Sequence, residues 1–461
     1  MRAVVTGQVG VDKAPYIKAV QRLASARGID LKVANVGEMM YAEAPDVPAG
    51  RILNLPITRL NTLRRSVFKE ILNLAQRHEH LLVNTHATFR WHHGLFAAFD
   101  FDQIQQLDPD LYVTVLDNVE NVHARLVRDH ELEHTLKDIM VWREEELLAT
   151  EILANSTRGY GHFFMLSRGR DNVSATILDR LMFQKGMKKA YLSFPMTHVV
   201  DQPAAQAEIE AFKLAMREPF ICFDPADVDE VLLHTRSLSA IKEGLQTFNY
   251  PTEAGTVSIA TKEVVDIARD IMGQTYARDF KMVDQSDMIV SIIPELPGGK
   301  PALSSGVERE LQHAYEGGKE VYVIWHCKTA ASPFITQTAT AIFPTVDAAL
   351  AHFRQKGYIP ESAGTTANTG AGTRSGASDG TGAGADPRAA AGAGTDADAD
   401  TGDATAAGTG SGAGTAASAG AGEGSGAGAP SAITPAVAKP KTQTKPATGR
   451  KRKPPTSLFE S

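Results

Sequence analysis

The segment TGQVGVDKA at residues 6–14 has part of the pattern of a phosphate-binding loop. Such a loop, G-x-x-x-x-G-K-[ST] between a strand and a helix, holds phosphate oxygens on backbone N–H groups and reaches the outer phosphates with its lysine. Gly7 and Lys13 have the required spacing. Asp12 stands in the place of the second glycine, and Ala14 replaces the hydroxyl that binds Mg²⁺. The pattern therefore favours phosphate binding and argues against Mg²⁺.

This loop supplies most of the candidate nucleotide-binding residues, which are Gly7, Gly10 and Lys13, with Arg64 as a further candidate phosphate contact. ATP is the candidate ligand. A loop that binds nothing is the alternative, and the residues leave it open. Histidines further along could suggest a metal (His86, His92 and His93). No carboxylate or cysteine cluster accompanies them, so no metal site is predicted.

A second candidate site centres on Glu310, on the apolar side of a predicted helix. Val307, Leu311 and Ala314 form an apolar stripe at i, i+4 and i+7, and Glu310 at i+3 falls on the same side. A carboxylate that points toward a core is costly unless it is paired or used in chemistry. Glu310 is therefore a candidate catalytic residue, although shallow, solvated glutamates are common on such faces.

Residues 1–150 resemble the archaeal type of adenylate kinase. The resemblance rests on VVTGQVGVDK, LNTLRRSV, LLVNTHATFR and LDPDLYVTVLDNVENVHARL. It implies a P-loop kinase fold that binds a nucleotide. Asn84 stands where that family has a carboxylate that organises Mg²⁺, and only Arg125 and Arg128 remain of its lid arginines. Phosphoryl transfer depends on positioning and on stabilisation by such groups, so we predict a kinase-like domain that is weak or inactive as a kinase.

Roughly residues 187–355 resemble the nucleoside 2-deoxyribosyltransferase family, chiefly in SSGVERELQHAYEGGKEVYVIW. The matching positions are Glu310-Leu311, Ala314 and Gly318-Lys319. The resemblance implies a Rossmann-like sheet in which Glu310 is the nucleophile, Tyr191 orients its carboxylate and Asp279 assists at the base. Asp287 matches an aspartate common before the central strand, which makes it a candidate substrate contact or a plain strand-entry residue.

The mechanism implied by this resemblance is covalent glycosyl transfer without a cofactor. The carboxylate of Glu310 attacks the anomeric carbon of the deoxyribose as the base departs, and water or a second base resolves the sugar ester. Tyr191 would hold Glu310 in its attacking rotamer. Asp279 would protonate the leaving base if its pKa is raised in the site.

The start of the Glu310 helix bears on the choice of substrate. Ser305 and Glu308 match a capping box, which predicts a helix that begins there. The transferases often place a carboxylate six positions before the nucleophile to hold the sugar 5′-hydroxyl, and here that position is Ser304. Hydroxyls at a helix N-terminus accept a phosphate, so Ser304, Ser305 and Gly306 are candidate contacts to a nucleoside 5′-monophosphate. The alternative is that the serines only cap the helix.

The elements that must position both sites alternate short β-rich runs with helical patterns, which is typical of α/β architecture with parallel strands. The predicted strands are Arg2–Val5, Leu31–Val36, His80–Asn84, Leu111–Leu116, Lys189–Phe194, Met288–Ile293 and Val321–Trp325. We predict two parallel-sheet α/β domains, P-loop kinase-like at 1–155 and Rossmann-like, deoxyribosyltransferase-like at 187–361, joined by a connecting segment at 156–186. The tail at 362–461 is rich in Gly, Ala and Thr, ends in basic residues, and is predicted to be disordered.

Composition excludes several classes of protein. The chain has 461 residues, 47 Lys and Arg against 54 Asp and Glu, and a net charge of −7. That balance argues against a nucleic-acid partner, and two distant cysteines argue against a disulfide framework. The apolar runs have strand length and no signal-peptide core is evident, which predicts a cytoplasmic protein without a membrane partner. The transferase resemblance allows a homo-oligomer.

The leading hypothesis is an enzyme that cleaves or exchanges the N-glycosidic bond of a (deoxy)nucleoside or nucleoside 5′-monophosphate, with an N-terminal kinase-like domain that binds a nucleotide. The first alternative is a nucleoside monophosphate kinase whose appended domain only binds ligand. The second is a nucleotide sensor without turnover. The losses at the Mg²⁺ positions count against the kinase.

Overall fold

The computed structural model of the chain describes residues 1–91, 94–130, 134–169 and 173–359. His92, His93 and the predicted tail at 362–461 lie outside the described residues. The described residues contain two parallel five-stranded sheets with helices packed on them, so the predicted α/β class with parallel sheets is confirmed. We call residues 1–183 the N-terminal half and residues 189–359 the C-terminal half.

The strands are β1 Arg2–Thr6, β2 Leu31–Asn35, β3 His80–Asn84, β4 Thr88–Trp91, β5 Gly94–Ala97, β6 Leu111–Leu116, β7 Phe163–Ser167, β8 Lys189–Ser193, β9 Ile221–Phe223, β10 Thr247–Thr252, β11 Gly255–Ala260, β12 Met288–Ile293, β13 Glu295–Leu296, β14 Lys300–Pro301, β15 Glu320–Trp325 and β16 Ala341–Phe343. The helices are α1 Lys13–Ala26, α2 Val36–Glu43, α3 Ile57–Arg77, α4 Phe101–Leu107, α5 Val119–His130, α6 Leu136–Thr157, α7 Val173–Phe183, α8 Pro203–Arg217, α9 Val231–Lys242, α10 Thr261–Asp266, α11 Ala268–Asp284, α12 Ser305–Glu316, α13 Pro333–Thr338 and α14 Val346–Gln355.

The N-terminal sheet has the strand order β2-β3-β1-β6-β7, and all of its pairs are parallel. β1 lies at its centre and leads directly into the glycine-containing loop and α1. Every residue of β6 is buried, as expected for a strand covered by helices on both faces of a parallel sheet. Because parallel strands end at the same edge, the loop at 7–12 and the segment after β3 lie together at the carboxyl edge.

The C-terminal sheet has the order β16-β15-β12-β8-β9 and is also parallel throughout. Its central strand β12 is entirely buried. β8 pairs with β12 from Ala190 opposite Met288 to Ser193 opposite Ser291, so Tyr191, Ser193 and Ser291 share one face. That face is the one on which α12 packs, through Val307, Leu311 and Ala314.

The segment at 156–186 is more than the connection that the sequence predicted. It contains β7, which pairs with β6 from Phe163 opposite Tyr112 to Ser167 opposite Leu116. It also contains α7, which packs against α1. The N-terminal sheet therefore continues beyond residue 155, because its edge strand comes from this segment. The domain boundaries themselves stay predictions.

The two halves share one hydrophobic core. A single cluster of buried side chains includes Leu166 and Leu178 of the N-terminal half and Tyr191 and Ile289 of the C-terminal half. Phe164 stacks on Phe223 across the junction, with ring centroids 6.3 Å apart. The halves thus pack as parts of one compact unit.

A buried ionic network also joins the halves. Glu230, just before α9, is fully buried and accepts hydrogen bonds from Arg143 of α6 and, at 3.4 Å, from Arg278 of α11. Burial raises the pKa of Glu230, but Arg143 and Arg278 outweigh it and lower the pKa to about 2. The carboxylate therefore stays ionised and fixes α6 against α11.

Within the ranges that the structure describes, the helices are all too short or too polar to cross a membrane.

Candidate functional site

The carboxylate of Glu310 is held at both of its oxygens. Tyr191 Oη donates a hydrogen bond to Oε1 at 3.0 Å, and Ser193 Oγ donates to Oε2 at 2.6 Å. Both donors lie on one face of β8, because side chains two residues apart on a strand point the same way. The carboxylate on α12 is therefore fixed in one orientation against the sheet, close to the carboxyl end of β8.

Burial controls the charge of this group. It raises the pKa of Glu310 to about 7, with Asp279 raising it further, while the hydrogen bonds from Ser193 and Tyr191 lower it. Burial and then the charge of Glu310 raise the pKa of Tyr191 well above its ordinary value. Tyr191 therefore stays protonated throughout the neutral range and donates a hydrogen bond to Glu310.

Asp279 lies on α11, close enough for its charge to act on both Glu310 and Tyr191. Burial raises its pKa to about 7, Arg278 lowers it, and Asp229 raises it again. Its Oδ1 atom is buried without a hydrogen-bond partner in the described part of the chain. A carboxyl group in this setting is protonated for much of the time near pH 7, and a protonated carboxyl can donate.

The start of α12 differs from the prediction by one residue. Ser304, and not Ser305, is the N-cap, and its Oγ accepts the backbone N–H of Val307 at 3.2 Å. The predicted capping box of Ser305 and Glu308 was wrong, since Ser305 already lies inside the helix. Ser304, Ser305 and Gly306 remain together at the N-terminus of α12, in the turn that precedes Glu310.

Asp287 lies at the other end of the sheet. Its carboxylate accepts the backbone N–H of Lys189, the first residue of β8, at 2.8 Å and pairs with the Lys189 Nζ at 3.0 Å. These contacts are at the amino edge, whereas Ser193 and Glu310 meet near the carboxyl edge. The structure therefore favours the strand-entry interpretation of Asp287 and does not bring it to Glu310.

Ser193 is the residue of this site that the sequence analysis left without a role. It is fully buried and makes the shorter of the two bonds to Glu310. The period of two along AYLSFP, which places Ser193 on the same face as Tyr191, was the available signal.

The loop at 7–12 in the N-terminal half contains residues with positive φ. Gly7 has φ +144°, and a Cβ there would lie 2.6 Å from the carbonyl oxygen of Val115. Asp12, in the place of the second glycine, has φ +58° and ψ +60°, the left-handed conformation that glycine adopts at least cost. Two positions of the loop therefore have backbone conformations that favour glycine, and one of them carries an acid.

Protein groups already occupy part of this loop. The fully buried carboxylate of Glu146 on α6 accepts the N–H of Gly7 at 2.9 Å, together with the N–H groups of Ala87 and Thr88. Lys13 Nζ donates to the carbonyl of Gly7 at 2.7 Å, and burial lowers the pKa of Lys13 to about 8. The candidate residues Gly7 and Lys13 are thus brought together, but their polar groups already make hydrogen bonds to other groups of the protein.

The Mg²⁺ ligands of a P-loop kinase are not supplied at the usual positions. Ala14 offers no hydroxyl, and Asn84 donates its amide to Asn35 Oδ1 at 2.9 Å instead of presenting a carboxylate. Among the described residues no group of three His, Cys, Asp or Glu side chains is placed to hold a metal. The residues present therefore do not fit a P-loop Mg²⁺ site.

Arg64 projects toward a cavity that reaches the loop. This cavity of about 160 Å³ is lined by Arg64, Val9 of the loop, Met40, Thr85 and Phe89, among others. Arg64 is 4% exposed and donates to the carbonyl of Ala97 at 3.0 Å. Its Nη2 is buried and has no hydrogen-bond partner within the described ranges, so a cationic donor is left unpaired in the wall of this cavity. Gly10 adopts φ +90° in the same loop.

The two remaining lid arginines do not face an open site. Arg125 is buried and pairs with Asp117 at 2.6 Å, and Arg128 pairs with the neighbouring Asp129 at the surface.

The N-terminal half is similar in sequence to known proteins. Residues 6–143 match a family model described as an AAA domain. Adenylate kinases of Pyrococcus furiosus and Pyrococcus abyssi are 26% and 28% identical to this chain over 132 residues, and that of Thermococcus sibiricus is 29% identical over 134 residues. Each alignment covers 27% of this chain, and the chain spans 64% of the length of these relatives.

Among solved structures, a gluconokinase from Sinorhizobium meliloti 1021 aligns with 40% of this chain and 96% of its own, at 12% identity. The TM-score of 0.23 is too low to carry an argument.

These similarities support a P-loop kinase-like, nucleotide-binding domain in the N-terminal half, as predicted. The family match ends at residue 143, ahead of the strand that carries Tyr191. It therefore lends nothing to the deoxyribosyltransferase resemblance of the C-terminal half.

Proposed function

We propose that the C-terminal half, as a deoxyribosyltransferase-like domain, cleaves or exchanges the N-glycosidic bond of a (deoxy)nucleoside or nucleoside 5′-monophosphate, with Glu310 as the nucleophile. The observation that carries this proposal is the double hydrogen bond that holds the Glu310 carboxylate against Tyr191 and Ser193. A nucleophile that is held in one orientation before substrate arrives loses less freedom on the way to the transition state. The comparisons favour the kinase-like alternative, but only for the N-terminal half.

The reaction proceeds in two balanced steps. First, a Glu310 oxygen forms a bond to the anomeric carbon while the bond from that carbon to the base nitrogen breaks. Asp279 gives its proton to the departing base, which leaves neutral. Second, water or another base attacks the same carbon, the ester bond breaks, and Asp279 takes back a proton. Glu310 is then a free carboxylate again.

The proposal for the substrate follows from the N-terminus of α12. The Ser304 hydroxyl accepts the N–H of Val307 and keeps its own proton to donate. Ser305 and Gly306 follow in the first turn, where backbone N–H groups favour an anion. A 5′-monophosphate on the sugar is the anion that this position would receive.

The test of this function incubates the protein with a panel of deoxynucleosides, ribonucleosides and their 5′-monophosphates, and measures free base by chromatography. We expect release of base from at least one deoxy compound, with the 5′-monophosphate preferred. Absence of free base across the panel, with and without an added acceptor base, would contradict the proposal.

The rate of base release should depend on pH as a bell. Glu310 must be ionised to attack, so the rate falls as the pH drops below its pKa of about 7. Asp279 must be protonated to serve the leaving base, so the rate also falls as the pH rises above its pKa of about 7. The two carboxyl groups influence each other, so the apparent pKa values of the acid and alkaline limbs describe the pair and not either residue alone. A kcat/KM that increases steadily from pH 5 to pH 9 would argue against these roles.

Replacing Ser193 by alanine should move the acid limb of that profile. The Ser193 hydrogen bond lowers the pKa of Glu310, so its loss raises that pKa and shifts the acid limb to higher pH. We expect kcat at the optimum to fall about tenfold, the order of one charge-assisted hydrogen bond. The matched control is Ser291→Ala, on the adjacent strand and the same face, whose Oγ has no partner among the described residues. If both variants behave alike, Ser193 does not position the nucleophile.

A second candidate function is a nucleoside monophosphate kinase or nucleotide sensor in the N-terminal half. It is favoured by the unpartnered Nη2 of Arg64 at the cavity beside the loop and by the similarity to adenylate kinases. The internal bonds of Gly7 and Lys13, and the missing Mg²⁺ ligands, weigh against phosphoryl transfer. An assay for ATP- and Mg²⁺-dependent conversion of AMP to ADP tests it. Binding of ATP without turnover would indicate a sensor.

A further inference from the structure

A carboxylate from the C-terminal half pairs with two arginines beside the phosphate loop. Glu253 lies in the turn of the β10–β11 hairpin, and its Oε2 accepts hydrogen bonds from Arg125 Nη2 at 2.9 Å and from Arg168 Nη1. Its backbone N–H donates to Asn121 Oδ1 at 3.3 Å. The side chain and the backbone N–H of Glu253 thus hold the turn beside the loop at 7–12.

The same two arginines are attached to the loop itself. Arg125 Nη1 donates to the carbonyl of Gly10 at 3.1 Å, and Arg168 Nε donates to the carbonyl of Asp12 at 3.4 Å. Their side chains are only 4% and 15% exposed. Two largely desolvated guanidinium groups therefore contact the loop, at Gly10 and at Asp12, and arginine is well suited to bind phosphate.

The charge balance around the arginines explains why Glu253 matters. Asp12 and Asp117 also lie within 4.0 Å of an arginine of this pair. Three carboxylates thus face these two guanidinium groups, and the charges of Lys13 and Arg128 also act on Asp12. While Glu253 is in place it repels an incoming phosphate chain and occupies the donors Arg125 Nη2 and Arg168 Nη1, which its departure would free.

We propose that Glu253 occupies the position of a ligand phosphate group, and that a polyphosphate-bearing nucleotide binds the loop by displacing the hairpin turn that carries it. The proposal rests on nucleotide binding by the N-terminal half. Glu253 is the acid that can leave, because it lies on a short turn outside the loop and its side chain is 30% exposed, whereas Asp12 belongs to the loop itself. Asp117, by contrast, has a side chain that is only 6% exposed.

The experiment measures binding of inorganic tripolyphosphate and of ATP to the full chain by titration calorimetry. We expect Glu253→Gln to bind tripolyphosphate at least about tenfold more tightly than the wild type, because it removes one negative charge from the cluster while it keeps the shape of the side chain. The matched control is Glu243→Gln, an acid of the same half that pairs with Arg236 at the surface. It should bind as the wild type does.

The outcomes separate this proposal from the one on which it rests. If the wild type and Glu253→Gln bind tripolyphosphate equally well, the displacement proposal is overturned and nucleotide binding stands. If neither protein binds tripolyphosphate or ATP, both proposals are overturned. If Glu253→Gln/Lys13→Ala keeps the full gain, the anion binds away from the loop and the displacement proposal also fails.

A measurement on the wild type tests the proposal even if the variant misfolds. Amide hydrogen exchange of Thr247–Ala260 should become faster when saturating ATP is added, because the hairpin loses its anchor on Arg125 and Arg168. Unchanged or slower exchange there, under conditions in which calorimetry detects ATP binding, would overturn the proposal without any substitution.

Discussion

Replacing Glu310 by glutamine is expected to lower the rate of base release by about a thousandfold or more, the order of effect seen when a covalent nucleophile is removed. Glutamine has nearly the same shape, but its amide cannot form the sugar ester. Tyr191 and Ser193 would still bracket the side chain, so binding of substrate should change much less than kcat. The measurement is release of free base under saturating substrate, with KM determined in parallel.

The matched control for this variant is Glu308→Gln. Glu308 lies on the same helix and is exposed, so its loss should leave kcat within a factor of about two. Intact-mass spectrometry on the wild type with a slow substrate should also show an adduct of the sugar moiety, which Glu310→Gln should lack. A Glu310→Gln protein that keeps more than about a tenth of the wild-type rate would refute the nucleophile assignment.

The largest effect on stability is expected from Arg143→Met. Arg143 and Arg278 are the cations that hold Glu230 ionised although it is fully buried. Removal of one leaves a buried carboxylate with half of its compensation, and breaking such a pair commonly costs about 3–5 kcal/mol. We expect the free energy of unfolding to fall by about 3 kcal/mol, measured by urea denaturation.

Arg236→Met is the control for that prediction. Arg236 pairs with Glu243 at the surface, and both side chains are more than a third exposed. Such pairs contribute little, so the expected change is below about 1 kcal/mol. Equal losses for the two variants would mean that the network around Glu230 has no special role in joining the halves.

Much of the fold could be predicted because its central strands are long apolar runs. β3, β6 and β12 were predicted with their observed bounds, and β1, β2, β8 and β15 differ from the prediction by one residue at one end. The edge strands β7, β9 and β16 were missed. A run of three residues such as Ile221–Phe223 has too little periodicity to be told from a helix or a loop.

Some contacts of the two candidate sites could be predicted from the sequence and others could not. The pairing of Glu310 with Tyr191 followed from a family resemblance, and the structure places the two side chains in contact. Glu146 could not be recognised as a partner of Gly7, because it lies in a charged helix 139 residues away and only the tertiary fold brings them together. Asp287 was ambiguous because a strand-entry acid and a substrate-binding acid have the same local sequence.

The shared core has a consequence for any attempt to divide the chain into fragments. If the chain were divided between the two sheets, each fragment would present to water the apolar wall that it now buries against the other, including Phe164 on one side and Phe223 on the other. Such fragments are candidates for aggregation. Separating the two halves would therefore destabilise both, even if the residues of each candidate site were left intact.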